Sequence, residues 1–298
     1  MSARIIDGKA IAADLQRQLS EEVDELLTAG IRPGLAVVLV GEDPASISYV
    51  TAKERACSKI GIYSRDIRLP ADTSLETLLD TVAGLNTDPE IHGILVQLPL
   101  PEGLDEETVI NAISPGKDVD GFHPVSLGRL MLNLDGFIPC TPHGVIKMIE
   151  ASGAVIEGSD IVIIGRSHIV GAPLANLLFR KAPGGNATVT ICHTRTRNLA
   201  DKVKRADIVI AATGRPNTVS ADMVKKGATV IDVGVNRVED ASRKSGYRLV
   251  GDVDFDAVSK VAGAISPVPG GVGPLTISML LWNTVASAGR TGAKHSQE

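Results

Sequence analysis

A tyrosine and a lysine one helical turn apart, Tyr49 and Lys53, are the first residues whose type and spacing could do chemistry. At about 100° per residue, Tyr49, Lys53, Ala56, Cys57 and Ile60 share one sector of a helix expected from Pro44 to Ile60. Ser48, Thr51, Glu54, Arg55, Ser58 and Lys59 lie outside that sector. Lys53 is therefore predicted on the inward face. It either snorkels past the core to water or stays desolvated, and a desolvated lysine loses its proton readily enough for proton transfer near neutrality. Gln97 interrupts the apolar run Ile91–Leu100 just before Pro99 and Pro101 forbid more strand. That end of a strand is where open α/β sheets bind ligands, and a buried amide needs partners, from backbone or from a site. Asp118 and Asp120, two apart in the Gly/Pro-rich stretch 115–124, could lie on one side of an extended loop. A metal reading of these aspartates with His123 lacks further ligands at a usual spacing, so no metal is expected.

A second constellation lies at 161–178. Four β-branched residues, Ile161 to Ile164, suit a strand buried on both faces. Gly165 ends the run, and Gly171-Ala172-Pro173 opens a helix through Leu174, Leu177 and Leu178. Strand, glycine turn and helix start can hold a phosphate against helix N-terminal amides. The spacing G-x-S-x-x-x-G-x-P is not the usual G-x-G-x-x-G, so a plain turn stays open as the alternative. After the next strand an NAD-type unit would carry an acid for the ribose 2′-hydroxyl. Here the chain reads His193-Thr194-Arg195-Thr196-Arg197, which favours a 2′-phosphate and hence NADP over NAD. Two prolines and three glycines in Pro267–Gly273 then make a stiff loop before Pro274 and a helix, either a ligand wall or a bare connector.

The elements that must position these residues are those of an α/β protein. Apolar positions at helical spacing cover 9–29, with Gly30 as C-cap; Leu35–Val40 is a strand, and Asp43-Pro44 caps the helix bearing Lys53. Thr141-Pro142 is expected as N-cap and first helical residue. From about 140 onward strands at 161–164, 188–192, 208–213, 229–233 and 249–251 alternate with helices at βαβ spacing. The 298 residues allow one large domain or two, and the aromatic content of 3% requires an aliphatic core. A net charge of −5 offers no basic field for nucleic acid, and no run of eighteen apolar residues suits a membrane span. Cys57, Cys140 and Cys192 are isolated and odd in number, the usage of a reduced cytoplasmic protein without disulfides or structural zinc.

Taken in order, YVTAKERACSKIGI (49–62), GILVQLPLP (93–101), PGKDVDGFHP (115–124), GRSHIVGAP (165–173), DVGVNR (232–237) and PGGVGPLT (269–276) resemble one family. It is the bifunctional methylenetetrahydrofolate dehydrogenase/methenyltetrahydrofolate cyclohydrolase family, and the resemblance extends over about residues 3–285. It implies a folate-binding α/β domain from 1–140, completed by a C-terminal helix at 276–298, and a Rossmann-like NADP domain at 141–275. It also implies a homodimer formed through the NADP domains. By that resemblance Lys53 is the central catalytic residue, Tyr49 lies against the folate, Gln97 tunes Lys53 and Asp120 grips the pterin. Gly165, Arg166 and Ser167 would hold the cofactor phosphates, with Thr194 and Val235 also at the nucleotide. Gly270, Gly271 and Pro274 would form the wall beside the folate. Thr194 stands where many relatives have serine, and His168 occupies a variable position. The implied substrates are tetrahydrofolate one-carbon derivatives. Two rivals share the nucleotide turn: a dehydrogenase of shikimate or amino-acid type, and a regulatory protein that binds NADP without turnover.

Overall fold

The computed structural model describes residues 2–243 and 246–295. In chain order the elements are β1 (Arg4–Ile5), α1 (Gly8–Thr28), β2 (Gly34–Val40), α2 (Pro44–Lys59), β3 (Tyr63–Leu69), α3 (Leu75–Thr87), β4 (Gly93–Val96) and α4 (Glu106–Ala112). There follow α5 (Pro124–Met131), α6 (Cys140–Ser152), β5 (Asp160–Ile164), α7 (Gly171–Phe179), β6 (Thr188–Cys192), α8 (Leu199–Val203), β7 (Ile208–Ala211) and β8 (Thr229–Asp232). The remainder comprises β9 (Asn236–Glu239), β10 (Tyr247–Val250), α9 (Phe255–Val258), β11 (Ala264–Ile265) and α10 (Val272–His295). They form two units: Met1–Ala13 with Thr141–Thr276, and Asp14–Cys140 with Ile277–Glu298.

The first unit is built on a parallel sheet in the order β1-β11-β8-β7-β5-β6. Ile161–Ile164 of β5 are all buried, as strands covered by helices on both faces must be. Successive strands lie on opposite sides of β5, so the strand order reverses between β5 and β7, the position at which α/β sheets open a ligand crevice. Its core is aliphatic, with Val162, Ile164, Val209, Val230 and Ile265 among its centre. Two expectations change here. The stretch 249–251 overlaps β10, which pairs antiparallel with β9 in a separate ribbon rather than joining the parallel sheet. The first thirteen residues, grouped by sequence with the first half of the chain, belong to this unit because β1 pairs with β11.

The second unit carries a parallel three-stranded sheet, β3-β2-β4, over a core of Ala36, Val38, Leu78, Val82, Ile94 and Val109. Every residue of β2 is buried, as its central place requires. The far part of α10 packs in this unit. Asn283 donates to the carbonyls of Val119 (2.8 Å) and Ile138 (3.0 Å), and Ser287 to that of Gly116 (3.1 Å). The α6 helix begins at Cys140, so Thr141 lies inside it rather than capping it, and its hydroxyl meets that of Thr276 at 3.0 Å.

Candidate active site

Of the three strand ends at the carboxyl edge of the second unit's sheet, those of β2 and β4 carry the site. The chain leaving β2 turns directly into α2, whose N-cap Asp43 accepts from the Ser46 amide at 2.7 Å with Pro44 in the first turn. The buried stripe of α2 is Ser46, Val50, Lys53 and Cys57, spaced four, three and four residues apart. Lys53 thus faces inward, with 8% of its surface exposed. Tyr49, expected on the same face, is 43% exposed, because Val50 takes the inward position and leaves the ring at the rim of the stripe.

The chain leaving β4 places Gln97 opposite that stripe. Its backbone amide continues the ladder to the Val38 carbonyl at 2.8 Å, and its side-chain Nε2 donates to the Leu98 carbonyl at 2.6 Å. This second bond fixes which way the amide points, leaving Oε1 to accept from Lys53 Nζ at 2.8 Å. Burial drives the Lys53 pKa down, while the Asp120 carboxylate pushes it back up by favouring the cation. Asp120, half-buried in the loop before α5, has its carboxyl raised by burial and lowered by the Lys53 charge and by a hydrogen bond with Cys140. Lys53, Gln97 and Asp120 are therefore brought together. An amine whose pKa is lowered by burial gives up its proton more readily than an ordinary lysine, and with one N–H committed to Gln97 its neutral form would direct a lone pair elsewhere to accept a proton.

The neighbouring residues are structural. Asp118 is buried and accepts from Ser126 Oγ (2.6 Å) and from the amides of His123 (3.0 Å) and Phe122 (3.2 Å), fastening the loop that carries Asp120. Burial nevertheless outweighs these donors and pushes its carboxyl up to about 6. His123 Nδ1 caps α5 by accepting from the Val125 amide at 3.0 Å. Among the described residues no group of three or more metal-ligating side chains occurs. The three cysteines are buried and free; burial raises the Cys57 thiol to about 12 and the Cys140 thiol well above its usual value, so both stay protonated.

In the first unit the loops after β5, β6, β7 and β8 all emerge from one edge of the parallel sheet. Gly165 follows β5 at φ +133°, and a Cβ there would fall on the Ala212 carbonyl oxygen, so the turn passes against the β7 end only because it lacks a side chain. Arg166 and Ser167 are exposed in this turn, where Ser167 Oγ accepts from the Val170 amide at 3.2 Å just before α7. Thr194, Arg195 and Arg197 are exposed after β6, in a turn held by His193 Nδ1 and Thr196 Oγ1. Val235, after β8, is 50% exposed. A tight glycine turn at a helix start, an exposed hydroxyl, and two arginines in place of an acid fit a dinucleotide with a 2′-phosphate. Gly270, Gly271 and Pro274 belong to this unit too, in the loop from β11 into the first turn of α10.

Residues 139–292 match the model of the tetrahydrofolate dehydrogenase/cyclohydrolase NAD(P)-binding domain, and residues 6–120 that of the same family's catalytic domain. The chain belongs to this family. A bifunctional FolD protein of Geotalea uraniireducens is 54% identical over 97% of this chain and 99% of its own length. One from Haloarcula marismortui is 52% identical over 96% of each. Among solved structures, the Trypanosoma brucei N5,N10-methylenetetrahydrofolate dehydrogenase-cyclohydrolase, complexed with NADP cofactor and an inhibitor, superimposes with a TM-score of 0.92. It has 41% identity and covers 98% of this chain and 99% of its own. Likeness of this extent sets the family apart from a dehydrogenase that shares only the nucleotide turn.

Sequence reasoning passed over two residues that the structure brings forward, Asp232 and Asp252. Both are buried beneath the loops after β7 and β8. The sequence signal was an aspartate within two residues of a glycine in each of Asp232–Gly234 and Gly251–Asp252.

Proposed function

We propose that Lys53 transfers the protons of this family's chemistry, held by Gln97 and balanced by Asp120, with Tyr49 at the rim against the substrate. The chain is a bifunctional enzyme of one-carbon metabolism. It oxidises 5,10-methylenetetrahydrofolate to 5,10-methenyltetrahydrofolate with NADP, then hydrolyses the product to 10-formyltetrahydrofolate. NADP, when bound, accepts the hydride released by the one-carbon bridge. In the first unit Gly165, Arg166 and Ser167 hold its phosphates, Thr194 and the arginines at 195 and 197 take the 2′-phosphate side, and Val235 packs on the nucleotide. In the hydrolysis, water adds to the cationic methenyl carbon as Lys53 takes its proton. The bond from that carbon to the ring nitrogen then breaks as Lys53 returns its proton to the nitrogen and the new hydroxyl loses its own proton to solvent, leaving the formyl carbonyl. A cationic lysine would repel the methenyl cation, so the depressed pKa of Lys53 suits the step.

The observation that carries this reading is the 2.8 Å contact from Lys53 to Gln97 on a buried helix face. Gly270, Gly271 and Pro274 stay assigned to folate binding on the family resemblance alone. The same resemblance supports a homodimer formed through the first unit and a cytoplasmic setting in which 10-formyl groups feed purine synthesis. Purified protein mixed with 5,10-methylenetetrahydrofolate and either NADP or NAD tests the assignment, with reduced cofactor followed by absorbance and methenyl and 10-formyl products quantified. Reduced NADP with formyl product, and slower turnover with NAD, is expected. Reduction that stops at the methenyl compound would remove the hydrolytic half, and tight NADP binding without reduction would favour a regulatory protein.

A further inference from the structure

At the ligand edge of the first unit's sheet lie two buried carboxylates whose partners are loop amides and hydroxyls. Asp252, with no exposed surface, accepts through Oδ2 from the Thr213 amide (2.5 Å), the Thr213 hydroxyl (2.9 Å) and the Gly214 amide (3.0 Å). Its Oδ1 accepts from Asn236 Nδ2 at 2.8 Å. Asp232, at the end of β8, accepts through Oδ1 from the amides of Gly234 (3.0 Å) and Asp252 (2.9 Å), and through Oδ2 from that of Val253 (2.9 Å). Its own amide donates to Ser266 Oγ at 2.7 Å, just ahead of the Pro267–Gly271 loop. The pair thus ties together the loops after β7, β8, β10 and β11. The packing leaves no room for change: a Cβ on Gly234 would fall on the Asp252 carboxylate, and one on Gly251 on that of Asp232.

Such a construction is costly where only stability is at stake. Buried carboxylates are stabilised less well than apolar side chains of similar volume, and burial here raises the Asp232 carboxyl to about 6 despite its three amide donors. What the arrangement secures is position. Val235 lies between Gly234, bound to Asp232, and Asn236, bound to Asp252, so a half-exposed apolar side chain is pinned on both sides. Thr213 and Gly214, at the end of the strand beside β5, are held by three bonds to one oxygen.

We infer that Asp232 and Asp252 are positioning residues for the dinucleotide, holding Val235 and the Thr213–Gly214 turn where they meet it. The inference rests on the reading that the first unit binds NADP. The hydrolytic step needs no NADP and draws on Lys53 and Gln97, so the two activities separate the possibilities.

In Asp252→Asn the side chain keeps its shape, but an NH2 group opposes the donors that one carboxylate oxygen now serves. By titration of the purified protein with NADP, Asp252→Asn is expected to bind at least tenfold more weakly than wild type. KM for NADP should rise in parallel, while KM for the folate and the cyclohydrolase rate stay within twofold. Asn236→Ala, which removes a single tie to Asp252, should weaken NADP binding severalfold and keeps the test open if the first variant folds poorly. NADP affinity within twofold of wild type in both variants would overturn the inference. So would a parallel loss of both activities with a lowered Tm, since that marks a purely structural pair. Failure of the wild type itself to bind NADP would instead remove the reading beneath it.

Discussion

Replacing Lys53 with methionine keeps a straight apolar stem of similar length and removes the amine that contacts Gln97 at 2.8 Å. Two stability effects oppose each other in Lys53→Met. Gln97 Oε1, half-buried, loses its donor, which costs up to about 1–3 kcal/mol, the range for a fully buried acceptor. The cost of burying the amine, which shows in its lowered pKa, disappears as well. The fold should therefore survive with a small change in Tm, and the loss should fall on chemistry. A positioned general acid–base is worth roughly 10²–10⁴ in rate, or about 3–5 kcal/mol of barrier. The assay is the decay of methenyltetrahydrofolate absorbance with 10-formyl product quantified, repeated across pH. Wild-type hydrolysis should rise with pH and level off as Lys53 becomes neutral, with a midpoint below the ordinary lysine value of 10.5. Lys53→Met should be slower by at least a hundredfold and lack that limb. The dehydrogenase should fall less, because the cofactor carries the hydride step. A variant within threefold of wild type in hydrolysis, or a wild-type rate flat in pH, would refute the assignment of Lys53.

Other outcomes follow from single contacts. Gly165→Ala puts a methyl group onto the Ala212 carbonyl at a φ that disfavours side chains, costing roughly 1–3 kcal/mol; NADP affinity should drop while hydrolysis persists, and unchanged affinity in a binding titration would count against the turn. Asn283→Leu strips donors from the Val119 and Ile138 carbonyls on either side of the Asp120 loop, about 1–3 kcal/mol each. KM for the folate should rise with NADP affinity unaltered, a split visible in steady-state kinetics. Asp118, with its carboxyl raised from 3.8 to about 6, contributes stability that is full below pH 4 and lost as pH rises through 6, about 3 kcal/mol in all. The stability gap between wild type and Asp118→Asn, read from denaturant unfolding, should therefore narrow from pH 4 to pH 7; a constant gap would contradict the shift.

Elements with a strong local signal were legible in the sequence. The helix bearing Lys53 was predicted with its cap, because Asp43-Pro44 and Gly61 bracket it, and the buried strands of the first unit announced themselves as β-branched runs. Strand β3 gave a weaker signal: Arg65, Asp66 and Arg68 break up Tyr63–Leu69 at a sheet edge, where Tyr63, Ile67 and Leu69 pack only partly buried on the core and Arg65 reaches Asp88 at 2.5 Å. Strands of two residues, β1 and β11, exist only through pairing and have no local sequence signature. The angular reading of α2 placed Lys53 correctly and Tyr49 wrongly, since a sector of about 100° does not say which of two adjacent positions the neighbouring strand will cover. The contact of Gln97 with Lys53 and the ties of Asp232 and Asp252 join residues far apart in sequence. No spacing rule reaches across such separations.

Neither unit is drawn from one continuous stretch of chain. The first needs its opening thirteen residues to wait for Thr141–Thr276, and the second needs Asp14–Cys140 to wait for residues after Ile277. On the ribosome the polypeptide emerges from its N-terminal end, so β1 leaves the exit tunnel long before β11, the strand that accepts it. The Asp120 loop likewise emerges well before Asn283, the side chain that fastens it. The residues proposed for catalysis are thus translated early and locked late. A nascent chain arrested before Asn283 would carry Lys53, Gln97 and Asp120 while still lacking the amide that fastens the Asp120 loop.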